Sequence, residues 1–286
     1  MIAFDTLWDY SQPAATRAKF LALLNDEEVK NNLSIELQVK TQIARTYSLQ
    51  FDFENANEWL HKVELTLPAD ENSLEHIRYH LERGRTFNTA NQKSAALPHF
   101  QKAFELANAI NADFFAIDAA HMLAIVAEPI AALLWNEKAI MLAENSTNEK
   151  AKNWLGSLYN NLGWSFFDMK NYDSALNIFQ KAYEWRLEKK QLMESLIGKW
   201  CIGRTLRAKG LVEEALALQL ELEKEYEANN IGKDGYVIEE IAECYLLLGN
   251  PIAKTYFAQA HELLVNDIYL SKNEKARLDR LKALAV

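Results

Sequence analysis

Two pairs of side chains stand at spacings that suit chemistry. Asp118 and His121 lie three residues apart in the apolar stretch DAAHMLA, a separation at which helical side chains meet and a carboxylate can orient an imidazole for proton transfer. His76 and His80 are four apart, so one helix face would present both as ligands. Neither pair is completed. No cysteine or third histidine follows at ligand spacing, so a surface or groove-lining pair is expected at His76 and His80, with no metal. His261-Glu262 opens like the zinc-protease motif, but Val265 stands where its second histidine belongs. The chain has no glycine-rich phosphate loop and no paired CxxC. Without a nucleophile beside a positioned base, His121 is expected to be a satisfied core histidine. Cys201 and Cys244 each fall within an apolar helical pattern and are expected to be reduced core residues. Sequons at Asn32 and Asn145 carry little weight without a secretion signal. No catalytic set and no cofactor are expected.

Composition narrows the classes further. The 286 residues carry a formal net charge of −9. That field repels phosphates, which argues against nucleic acid and anionic lipid as nonspecific partners. Half the chain is apolar (49%) and a quarter charged (25%), which suits a folded chain. Nine glycines and five prolines are too few for the turns of a β-sandwich or barrel. The opening MIAFDTLWDYSQP lacks the basic and apolar regions of a signal peptide. The apolar run MLAIVA is far shorter than the roughly 18 residues of a membrane helix. A cytoplasmic protein without membrane contact is expected, its oligomeric state open.

The elements that position these residues come from an internal repeat. A small residue recurs at Ala44, Gly84, Ala120, Gly163, Gly203 and Ala242, at intervals near 40 residues. Three positions later stand Tyr47, Phe87, Leu123, Phe166, Leu206 and Tyr245. An alanine follows each small residue at Ala56, Ala96, Ala132, Ala175, Ala215 and Ala253. Spacings of 3, 4 and 7 keep these residues on one stripe of a helix. Each unit therefore reads as two antiparallel helices in close approach, with Leu60, Phe100, Phe179 and Phe257 filling the space around the contact. Breakers separate the two helices: Phe51-Asp52, Asn91-Gln92, Glu128-Pro129, Lys170-Asn171, Lys209-Gly210 and Gly249-Asn250-Pro251. Ser146 before Glu149 and Ser271 before Glu274 have the spacing of capping boxes.

This skeleton resembles the tetratricopeptide repeat (TPR) family, whose motif runs W, LG, Y, a turn, A, F, A and a closing Pro. The match is best at residues 156–187, where Tyr159, Leu162, Gly163, Phe166, Ala175, Phe179 and Ala182 stand on family positions. Pro68 keeps the closing proline of the first full repeat; the other five lack it, and the period exceeds the family's 34. The resemblance implies an all-α, right-handed α-solenoid of antiparallel helix pairs, a TPR-like superhelix. Its expected organisation is one continuous domain: a half-repeat or cap over 1–35, six helix pairs over 37–268, and a capping helix over 271–286.

In that family the first helices of successive repeats line a concave groove. Carried onto this chain, the groove would bear Arg45, Arg78, Arg85, His121, Asn160, Trp164, Trp200, Arg204 and Arg207. Over the first five repeats its five arginines face one acid, Asp168, an apparent local excess of four positive charges on a chain of net −9. Arginine suits planar recognition of carboxylates, and the tryptophans add flat apolar surface. The expected function is a non-catalytic scaffold that binds a protein or peptide with acidic groups. The alternatives are a cytosolic regulator that senses a peptide by changing curvature and, remotely, an enzyme using Asp118 and His121. A competing structural role ties Arg204 and Arg207 to Glu239 and Glu243 of the next repeat.

Overall fold

The structure is a computed structural model that describes residues 4–286, apart from the side chains of Ile268, Tyr269 and Lys272. Residues 1–3 of the expected leading cap lie outside the described residues. The chain divides into two compact units, residues 1–158 and 159–286. All regular elements among the described residues are helical.

In the first unit a 3₁₀ turn at Phe4–Leu7 precedes α1 (Pro13–Leu23) and α2 (Glu27–Lys30). Three long helix pairs follow: α3 (Leu33–Leu49) with α4 (Phe53–Glu64), α5 (Leu74–Thr89) with α6 (Lys93–Ala109), and α7 (Asp113–Val126) with α8 (Pro129–Asn145). The short α9 (Glu149–Lys152) comes next, and the division falls within α10 (Leu155–Asp168). The second unit continues with α11 (Tyr172–Glu188), α12 (Leu192–Lys209), α13 (Val212–Ala228), α14 (Gly235–Leu247) and α15 (Ala253–Leu264). It closes with α16 (Ile268–Asn273) and α17 (Lys275–Leu284). Every expected first helix and second helix is present.

Close approach within a pair comes from the small residues. A Cβ added at Gly84 would stand 2.6 Å from Phe100 Cε1, and one at Gly163 would stand 2.5 Å from Phe179 Cε1. The ring of the second helix thus lies in the space that a side chain at the glycine would take. Leu60, Phe100, Phe179 and Phe257 are fully or almost fully buried, as are five of the six repeat alanines. Ala132 on α8 is the exception, only half-buried. In the third and fifth repeats the ring's position is held by amides, Asn136 and Gln219, both buried. Gln219 Nε2 donates to the Trp200 carbonyl at 3.2 Å, which partly meets the cost of burying it.

The breakers work by backbone geometry. Phe51, Asn91, Lys170, Gly210 and Gly249 all take positive φ, so each ends a first helix in a left-handed residue. Asp52 and Asn171 then cap α4 and α11, accepting from Asn55 N and Ser174 N. The turn before α8 differs, with Ala127 and Glu128 extended ahead of Pro129. Neither expected capping box forms. Asn148 caps α9, while the Ser146 hydroxyl donates to Asp113 at 2.5 Å. Ser271 lies inside α16, so it has no helix start to cap.

Candidate functional site: the arginine-bearing faces of the first helices

In the first unit Arg85 on α5 is the hub. Its Nη1 donates to Glu82 at 2.7 Å, one turn earlier on the same helix. Its Nη2 donates to Asp118 on α7. Arg45 on α3 approaches Glu82 from the other side, Nε to Oε2 at 3.7 Å. The Glu82, Asp118 and Arg85 side chains are only 5%, 7% and 13% exposed. Burial works against the Arg85 charge, but Asp118 and Glu82 outweigh it and raise its pKa. Burial pulls the Arg45 pKa down, with Glu82 opposing. His121 is half-buried against the Trp154 ring, 5.2 Å between centroids. Its pKa is lowered by burial, with Asp118 opposing and Arg85 adding. Asp118 ion-pairs with Arg85 of the neighbouring first helix, and His121, expected as a core histidine, is only half-buried.

Arg78, also on α5, pairs elsewhere. Its Nη2 donates to Asp5 Oδ2 at 2.5 Å, and its guanidinium lies 4.9 Å from the ring centres of both Phe4 and Phe115. Trp8 Nε1 donates to Gln42 on α3 at 2.9 Å. Desolvation raises the Tyr10 phenol, and Glu82 adds to the shift while Arg85 and Arg45 oppose it. None of these N-terminal contacts is visible as a motif.

In the second unit Trp164, Phe167 and Trp200 form a ladder on α10 and α12, Trp164 lying 5.0 Å from Phe167 and 5.9 Å from Trp200. The Arg204 guanidinium sits 5.5 Å from the Trp200 centroid, 5.8 Å from Trp164 and 5.9 Å from Phe167. Arg204 Nη1 donates to Glu240 at 2.8 Å, and Arg207 holds the same carboxylate through two bonds of 2.6 and 2.9 Å. The acid is therefore Glu240, and not the Glu239 and Glu243 of the competing structural reading. Those two are taken by Arg277 and Arg280 on α17. Asn160 accepts a long bond from the Cys201 thiol, 3.6 Å. Burial pushes both Cys201 and Cys244 up to about 12.

The apparent excess of positive charge is corrected by these contacts. Asp5, Glu82, Asp118 and Glu240 all close onto the arginines that sequence counting set against Asp168 alone. Glu82 stands three residues before Arg85, and Glu240 lies 36 residues after Arg204. Helix spacing was therefore a signal for Glu82, whereas Glu240 sits one turn short of the position, Glu243, that the repeat period marks.

The two histidine spacings resolve differently. His76 Nδ1 meets the Ser73 hydroxyl at 2.8 Å, whereas His80 Nδ1 meets His99 Nδ1 at 3.0 Å. Among the described residues no group of three or more His, Cys, Asp or Glu is placed to hold a metal. Burial, then the charges of His99, Lys102 and His76, lower His80 to about 4, with Glu71 opposing. The unfolded chain takes this proton near pH 6.5, the folded chain only near 4, so stability falls as pH drops across that window. The loss is expected to be at most about 3 kcal/mol. Melting followed from pH 7.5 to 4 measures it, and His80→Asn should flatten the slope.

Residues 156–189 match the family model described as tetratricopeptide repeat. Three solved structures share the fold. One is the apo form of RapI, at 13% identity and TM-score 0.71, covering 91% of this chain and 73% of that one. The second is a Rap protein complexed with Competence and Sporulation Factor, at 13% identity and TM-score 0.58, covering 92% and 80%. The third is the C-terminal part of a TPR repeat-containing protein from Cytophaga hutchinsonii, at 16% identity and TM-score 0.57, covering 94% and 97%. No curated protein matches the chain by sequence. The fold is thus all-α and TPR-like, as the resemblance implied. No helix among the described residues is long and apolar enough to cross a membrane.

Proposed function

We propose that this chain is a non-catalytic, cytoplasmic TPR-type scaffold whose first-helix faces take a protein or peptide ligand with acidic groups. The observation that carries this reading is the half-buried ladder of Trp164, Phe167 and Trp200 with Arg204 among its rings. A guanidinium stacked on aromatic rings keeps its donor edge in a fixed direction, which suits a carboxylate. Glu240 does not exhaust that capacity, because Arg207 already holds it through two bonds.

Arg204→Ala tests this cleanly, since Arg207 still neutralises Glu240. Helicity in the far ultraviolet should stay unchanged, while a partner captured by the wild type is lost. Equal capture by both proteins moves the binding site off this face. Similarity to a Rap protein complexed with Competence and Sporulation Factor supports a second reading, a regulator that changes curvature on binding a peptide. Small-angle scattering with and without the captured ligand separates the two, because only the regulator changes its radius of gyration.

A further inference from the structure

Residues 4–8 lie against the α3 and α5 helices of the first unit. Phe4 is buried in one apolar cluster with Ile35, Val39 and Ile43 of α3. Its ring stands against the Arg78 guanidinium of α5, and Asp5 supplies that guanidinium's carboxylate. Trp8 reaches Gln42 of α3. A carboxylate is the chemistry proposed above for the external ligand, and here Asp5 provides it in cis with Phe4 beside it.

The seat is built but incompletely filled. Arg78 is 8% exposed and its Nε is buried with no hydrogen-bond partner among the described residues. Asp5 meets only one edge of the fork, and its own side chain remains 46% exposed. A carboxylate that bridged Nε and Nη would satisfy both donors and exclude Asp5. The holding segment is a four-residue 3₁₀ turn, Phe4–Leu7, followed by a long backbone bond from Trp8 N to Asp5 O at 3.5 Å. Short 3₁₀ turns have poor bond geometry, so little internal structure opposes its release. By contrast Arg45 and Arg85 are held by Glu82 and Asp118 from neighbouring helices.

We propose that Phe4–Trp8 is a displaceable internal ligand of the α3–α5–α7 face, and that this face takes in trans an acidic peptide with an aromatic residue beside its carboxylate. The proposal rests on the scaffold reading and names the ligand's chemistry and its competitor. Binding would then require the segment to leave, which lowers apparent affinity by the fraction of chains with the face open.

The full chain with Thr6→Cys and a nitroxide on that cysteine tests this by electron spin resonance. Cys201 and Cys244 are buried and leave the label at one site. Adding Asp5→Arg, or separately Phe4→Ala, should raise the mobile fraction of the spectrum several-fold at unchanged helicity. A peptide of sequence FDTLWDY at millimolar concentration should do the same to the chain without those changes. The peptide with asparagine for its first aspartate should not. No change in mobility with either variant means that the segment is not held through these contacts, which overturns the proposal. Release by the variants but not by the peptide overturns the ligand assignment. If Arg204→Ala abolishes partner capture while the nitroxide does not respond, the scaffold reading stands and this proposal alone falls.

Discussion

Arg85→Ala is expected to destabilise the protein by about 3–5 kcal/mol, the cost of leaving a buried carboxylate without its counter-charge. Two carboxylates depend on this one guanidinium. Asp118 is 7% exposed and receives Nη2, and Glu82 is 5% exposed and receives Nη1. Glu82 Oε2 already lacks a hydrogen bond, with only the Arg45 Nε at 3.7 Å for company. Urea unfolding followed by circular dichroism measures the loss directly. Replacing the whole cluster with apolar residues, Arg45→Met and Glu82→Leu with Arg85→Met and Asp118→Leu, should recover most of it. Apolar substitutes of similar size remove the desolvation penalty together with the attraction. A loss below about 1 kcal/mol for Arg85→Ala would show that water reaches the three groups. Arg85 is thus a poor choice for testing ligand binding, because its removal disturbs the fold that presents the face.

Phe100→Ala is expected to cost a similar amount, about 3–5 kcal/mol, through a cavity lined by Gly84 and the two helix backbones. Phe100 is fully buried and lies against α5 where a Cβ on Gly84 would overlap its Cε1, Cδ1 and Cζ atoms. The contact makes a second, coupled result. Gly84→Ala should cost on the order of 1–3 kcal/mol from overpacking, less the ~1 kcal/mol that alanine gains over glycine within a helix. In a Phe100→Leu background that cost should shrink, because the smaller side chain leaves room for the methyl group. Thermal melts of the four proteins in the cycle give the coupling energy. Additive effects would mean that residues 84 and 100 do not touch.

Local patterns carried far into this fold. The recurring small residue, the alanine of the second helix and the breaker between them placed every first and second helix from α3 to α15. Each of these signals is a property of one helix or one turn. A glycine under a ring, or a left-handed residue after a helix, acts on its immediate neighbours. At positions 136 and 219 amides replace the ring, and their residue types hid those two positions in the sequence. The start signals at Ser146 and Ser271 failed for a related reason. Those hydroxyls had other partners or fell within a helix, and residue type alone does not choose between them.

The candidate site was legible as a set of residues and illegible as an arrangement of charge. Arg45, Arg78, Arg85, Arg204 and Arg207 stand on first helices, where the repeat put them. Which carboxylates meet them was decided by contacts between helices: Asp118 on α7 for Arg85, and Glu240 on α14 for Arg204 and Arg207. Long flexible side chains choose among several acids within a few ångströms of one another, as Glu239 and Glu240 show by taking arginines from different helices. The sequence by itself therefore determined the helix pairs and their packing, since periodicity and residue size act within one pair. Only the tertiary structure decided the charge of the faces and set Phe4 and Asp5 on Arg78, because those contacts join residues dozens of positions apart.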